Sequence, residues 1–70
     1  MTTAQIIETI KIILNGRKII GRISVARFEG EFELSAFVLN ADGIGKREQR
    51  LASFATADQA ITVQRTMMYA

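Results

Sequence analysis

Glu29, Glu31 and Glu33 form the densest group of carboxylates in the chain. Paired carboxylates can exchange protons with a substrate or hold Mg²⁺ between them. Either use requires a concave site that shifts their pKa values. The run FEGEFE reads instead as a turn with a solvated acidic edge. A second stretch, DGIGKR at 42–47, combines glycines with a lysine as a phosphate-binding loop does. A P-loop has longer spacing and a Ser or Thr directly after the Lys, and a hairpin accounts for both glycines here. Ser24, Ser35 and Ser53 have no His to activate them, and Lys11 is a poor substitute base on an open sheet. The chain contains neither Cys nor His. Imidazole bases, thiolate nucleophiles, disulfides and the usual zinc ligands are therefore ruled out. The expectation is a non-enzyme with no cofactor, no metal and no small-molecule substrate.

What remains is binding. The candidate surface consists of Lys11, Ile13, Lys18, Ile20, Arg22, Phe37, Leu39, Lys46 and Arg50. Phe37 could stack on a base while Lys11, Lys18, Arg22, Lys46 and Arg50 meet phosphates. One aromatic is few for such a surface, which commonly carries two or three. Ile13, Ile20, Phe37 and Leu39 could equally anchor a protein contact, with the cations at its rim. Nine Lys and Arg against seven Asp and Glu give a net charge of +2. That mild excess permits a nucleic-acid partner without demanding one.

Turns must position these residues. Asn15-Gly16 and Asp42-Gly43 are residue pairs suited to two-residue hairpins with positive φ. Glu29-Gly30 fits less well and suggests a slightly longer loop. Registers drawn about the three turns agree with one another. Ile6, Val25, Leu34 and Leu51 then form one row on an apolar face. The predicted fold is α+β: a four-stranded antiparallel meander over about 6–14, 17–28, 31–41 and 44–54, with a C-terminal helix over about 57–69. Thr56 and Gln59 form the capping pattern of that helix, and Asp58 suits its positive end. The other sheet face displays the candidate surface in rows: Lys11, Ile20, Leu39 and Lys46; Thr9, Arg22, Phe37 and Glu48; Ser24, Ser35 and Arg50. An apolar patch ringed by cations marks a binding surface.

The alternative architecture is α-β-β-β-α, with an N-terminal helix at about 3–14. Thr2 and Gln5 also match a capping box, the isoleucines follow helical spacing, and Asn15-Gly16 would be the helix end. The β-branched composition of the segment favours the strand. The helix-first order is also the topology of double-stranded-RNA-binding domains. The Lys-rich start that those domains carry on their last helix is absent here, where the helix opens TADQ, so the order alone assigns no family.

Seventy residues make one small domain, and a chain of this size needs very regular packing or a partner. TIKIIL at a sheet edge, with Lys11 as its only charge, invites pairing with a second copy. No apolar run approaches the length of a membrane helix, and MTTAQ does not resemble a signal peptide. A cytoplasmic protein follows. The leading functional expectation is a non-catalytic protein-interaction module, of the kind of small inhibitors and adaptors that phages or mobile elements encode, with a homo-oligomer among its partners. The alternative is a small basic nucleic-acid-binding protein.

Overall fold

The N-terminal segment is a helix, so the four-stranded meander gives way to the helix-first alternative. A computed structural model of the chain describes residues 1–69. Its elements are α1 (Thr3–Leu14), β1 (Ile19–Phe28), β2 (Glu31–Leu39), β3 (Lys46–Phe54) and α2 (Ala57–Tyr69). The fold is α+β, a three-stranded antiparallel sheet of order β1-β2-β3 with two helices.

The reason for the correction lies at the ends of α1. The Thr2 hydroxyl accepts from the Gln5 N–H at 3.2 Å, and the Gln5 side chain accepts from the Thr2 N–H at 2.8 Å. At the other end Asn15 adopts the left-handed conformation (φ 50°), and its N–H donates to the Lys11 carbonyl. The Arg17 guanidinium donates to the carbonyls of Leu14 (2.9 Å) and Ile13 (2.8 Å). Orphan groups at both helix ends are thereby satisfied. The helix penalty of an Ile is about half a kcal/mol. One cap contributes about 1 kcal/mol, and burying an Ile contributes about 1.5–3 kcal/mol. Ile10 and Leu14 enter the core from α1, with Ile6 and Ile7 packed beside them. Glu8, which a strand would have placed on the apolar face, is exposed and pairs with Lys11 at 3.3 Å.

The turns behave differently from one another. Asn15-Gly16 ends a helix and makes no hairpin. Glu29-Gly30 is a tight two-residue hairpin with positive φ at both residues (50° and 80°), flanked by the pair Phe28 and Glu31. The β2–β3 connection is wider. Leu39 pairs with Lys46, and the Asn40 N–H closes the loop onto the Gly45 carbonyl at 2.8 Å. Asp42 Oδ1 accepts from the N–H groups of Ile44 and Gly45. These bonds hold its carboxyl below the usual carboxylate range.

Two irregularities set the registers. Val25 faces Leu34 as expected, but Ile20 faces Phe37, so residues 21–23 of β1 oppose Ala36 alone. Gly21 carries the positive φ (76°) of this bulge. The Ile23 carbonyl accepts from Gln64 Nε2 of α2 at 2.6 Å, which ties the bulge to the helix. In β3, Ser35 faces Arg50 while Leu34 faces Ala52, and Leu51 is the extra residue. The expected alignment of Leu34 with Leu51 is therefore replaced by Leu34 with Ala52.

Both helices cover one face of the sheet. Ile10, Leu14, Ile23, Leu34, Ala36, Val38, Leu51, Phe54, Ala60 and Val63 make a single core between the layers. Helix α2 begins where Thr56 accepts from the Gln59 N–H at 3.3 Å. It contributes Ala60 and Val63 at helical spacing.

Candidate functional site

Alternation along β2 decides what the uncovered face displays. Leu34, Ala36 and Val38 are buried beneath the helices. Glu31, Glu33, Ser35, Phe37 and Leu39 point the other way. Their partners complete the rows: Ile20, Phe37 and Glu48; Leu39 and Lys46; Ser24, Ser35 and Arg50; Ala26, Glu33 and Ser53; Phe28 and Glu31. No helix lies over this face, because both pack on the opposite one.

Phe37 is its central apolar feature. The ring is 43% exposed, a large residue left half in water in the middle strand of a sheet. Lys46 Nζ sits over it at 5.2 Å from the centroid, a geometry in which the ring face attracts the cation. Ile20 and Leu39 flank the ring and are half-buried. Phe28 is 58% exposed near the β1–β2 hairpin. Between these apolar groups lie the small side chains of Ser24, Ala26 and Ser35. Arg50 Nη1 meets Glu33 Oε1 at 3.2 Å.

Of the nine candidate residues, the structure brings Ile20, Phe37, Leu39, Lys46 and Arg50 together on this face. Lys18 adjoins it, since its carbonyl accepts from the Leu39 N–H at 3.2 Å. Arg22 is exposed within the β1 bulge, outside the Phe37 row. Lys11 and Ile13 belong to α1, on the helical side of the sheet. Phe28 escaped the sequence reading. The signal was present in the pair Phe28 and Glu31, which a two-residue turn at Glu29-Gly30 places on the outer face.

Charge on the face is mixed. Lys46 and Arg50 stand against Glu31, Glu33 and Glu48, so the uncovered sheet is not a cationic platform. The two ends of the face differ in sign, while Glu48 and Arg50 alternate between them. Glu29 and Glu31 lie at the β1–β2 hairpin end, and Lys18 and Lys46 lie at the opposite end. None of these four has an ion-pair partner among the described residues.

A groove at the basic end is lined by Asn15, Gly16, Lys18, Leu39, Asn40 and Gly43. A more apolar cleft between α1 and β3 is lined by Ile6, Ile10, Leu51, Ala52 and Phe54. Among the described residues no group of three His, Cys, Asp or Glu is placed to share a metal ion. No helix of the described residues is long and apolar enough to cross a membrane. No family model, no curated protein and no solved structure matches the chain.

Proposed function

We propose that the chain is a non-catalytic protein-interaction module that binds through the uncovered sheet face. Its anchors are Phe37, Ile20, Leu39 and Phe28, and Lys46 and Arg50 form the polar surround. The observation that carries this reading is Phe37, a half-exposed aromatic at the centre of a sheet face that nothing covers. Aromatic residues on otherwise small or polar ground are the usual energetic centres of protein contacts. The Ser and Ala side chains beside it allow a partner to approach closely. The mixed charge of the face favours protein over nucleic acid, whose phosphates require an excess of cations. The small size and the absence of catalytic residues suit an inhibitor or adaptor of phage or mobile-element type, and a cytoplasmic setting suits the reading.

The test sets wild type beside Phe37→Asp. Both are titrated at low salt against labelled single-stranded and duplex DNA and RNA, and both are used as bait in an extract of the source cell. Under this reading neither protein retains nucleic acid. The wild type forms a salt-resistant complex with a protein, and Phe37→Asp, still folded, does not. Nucleic-acid retention that weakens log-linearly with salt would overturn the reading.

A further inference from the structure

We propose that the free edge of β3 pairs antiparallel with the same edge of a second copy, with Gln49 at the two-fold axis, so that two sheets join into one of six strands. The pairing uses the edge and not the uncovered face, and it stands or falls separately from the function proposed above.

The two outer strands of the sheet are finished differently. β1 is broken by the bulge at Gly21–Ile23, and its Ile23 carbonyl is taken by Gln64 of α2. Bulges and covering helices close an edge to further strands. Over Lys46–Arg50, β3 has neither, and its register with β2 is unbroken there. Charged residues are the remaining guard of such an edge, and here they select a register.

The backbone groups point the right way. The Asn40 N–H donates to the Gly45 carbonyl, which continues the pairing of Leu39 with Lys46. Bonded and non-bonded pairs alternate along an antiparallel ladder. Val38 with Arg47 and Ala36 with Gln49 are therefore bonded pairs, and Lys46, Glu48 and Arg50 turn their N–H and C=O groups to the free side. Among the described residues no backbone group meets them there. The Arg50 carbonyl takes a side-chain donor instead, Gln49 Nε2 at 3.0 Å.

Charge fixes the register. A two-fold axis perpendicular to the sheet keeps each face on its own side, and the residue at the axis meets its own copy. With Glu48 at the axis, carboxylate meets carboxylate and Lys46 meets Arg50. With Arg47 or Arg50 at the axis, guanidinium meets guanidinium. With Gln49 at the axis, Glu48 faces the second copy's Arg50 and Arg50 faces its Glu48, both on the outer side and both as bonded pairs. Glu48 has no ion-pair partner among the described residues of its own chain, and Arg50 meets Glu33 through Nη1. The rest of its donor fork is left for the new carboxylate. On the inner side the exposed Arg47 lies beside the second copy's Leu51, which is already buried in its own core.

The joined sheet carries all four helices on one side, because α1 and α2 both pack on the inner face. Both uncovered faces share the other side, with the two Phe37 rings roughly 16 Å apart. The contact itself is short, two bonded residue pairs and two ion pairs, and falls below the ~1,200 Å² of a stable interface. The dimer is therefore weak and forms at high protein concentration.

Cysteine scanning reads the register, since the chain has no Cys of its own. A non-bonded pair at the axis holds its Cα atoms ~4.5 Å apart, within the span of a disulfide. Gln49→Cys should cross-link under mild oxidation at least ~10-fold faster than Arg47→Cys, whose Cα atoms lie ~14 Å apart. Charge reversal in the Gln49→Cys protein tests the ion pairs. Glu48→Arg sets guanidinium on guanidinium at both contacts, and Arg50→Glu sets carboxylate on carboxylate. Each should slow cross-linking at least ~10-fold. An equimolar mixture of the two has opposite charges at both contacts, and its rate should return to within ~3-fold of the parent. Circular dichroism checks that each variant keeps the fold.

A Gln49→Cys protein that cross-links no faster than Arg47→Cys overturns the pairing, as does a mixture no faster than the single variants. Either result leaves a Phe37-dependent complex with another protein standing. Cross-linking at position 49 without that complex refutes the sheet-face reading and keeps the dimer.

Discussion

The two faces of β2 are built from one strand, and they obey different rules. Leu34 and Val38, which point inward, are fully buried, and Ala36 is nearly so. Phe37 and Leu39 point outward from the same stretch, and Phe37 keeps 43% of its surface in water. Hydrophobic burial explains the inner set completely, since α1 and α2 close over it. It does not explain the outer set, because no element of the fold reaches that side. The proposed binding role rests on these outer residues, which the fold itself leaves without cover.

The comparison is broken most severely from the inside. Leu34→Ala should cost about 2–5 kcal/mol, because Leu34 lies at the centre of the core and leaves a cavity. Urea denaturation measures it. In a domain this small that is a large share of the total stability, and the variant should be partly unfolded at 25 °C. Phe37→Ala removes a larger side chain from the other face and should cost only about 1 kcal/mol. A Phe37→Ala loss as large as that of Leu34→Ala would make the outer face a second core.

Gln64→Ala sharpens the comparison at its boundary. The Gln64 amide supplies the hydrogen bond to the Ile23 carbonyl where the β1 bulge breaks the ladder. Its loss should cost about 1–3 kcal/mol, and amide hydrogen exchange should rise around Gly21 and Ile23 first. Thr2→Ala removes half of the α1 capping box. It should cost about 1 kcal/mol in denaturant unfolding, with no effect on outer-face binding.

The smallest effect comes from Asp42. Its folded pKa is depressed by the N–H groups of Ile44 and Gly45. Its contribution to stability is therefore full above the unfolded value of about 3.9. It is lost as pH falls through the depressed folded value. The side chain is exposed, so the effect is slight. Between pH 6 and pH 2 the urea midpoint of wild type should fall a little more than that of Asp42→Asn.

How much was legible in the sequence is best seen in two turns. Asn15-Gly16 and Glu29-Gly30 have nearly the same backbone: φ 50° and 79° in the first, 50° and 80° in the second. The first ends a helix, and the second joins two strands. Asn-Gly is the better hairpin pair by residue preference, and it is Glu-Gly that makes the tight hairpin. Two left-handed residues in a row say only that the chain reverses there. Flanking elements decide between a helix end and a hairpin. Two local facts and one tertiary fact settled the first case in favour of the helix: the caps of α1 and the Arg17 bonds to its last carbonyls are local, and the burial of Ile10 and Leu14 is tertiary.

The alternating pattern of β2 and the C-terminal helix were readable, because one face of each is buried and the periodicity follows burial. The bulges at Gly21–Ile23 and at Leu51 were not: two extra residues in β1 keep its inside–outside alternation, and the extra residue in β3 turns the adjacent apolar pair Leu51 and Ala52 both toward the core. Of the candidate residues, Ile20 of β1 shares a face with the β2 and β3 members, and the register expected about the Asp42-Gly43 loop holds from Ser35 to Leu39. It lost Lys11 and Ile13 together with the strand that was to carry them.

The most direct test of the central claim places a photoreactive benzoyl-phenylalanine at position 37, and in a second protein at position 12, in the source cell. Ile12 is 77% exposed on α1 and serves as the apolar control on the opposite side of the molecule. The account predicts discrete protein adducts from position 37 and few from position 12. Adducts to nucleic acid at position 37, or adducts from position 12 with none from position 37, would contradict it.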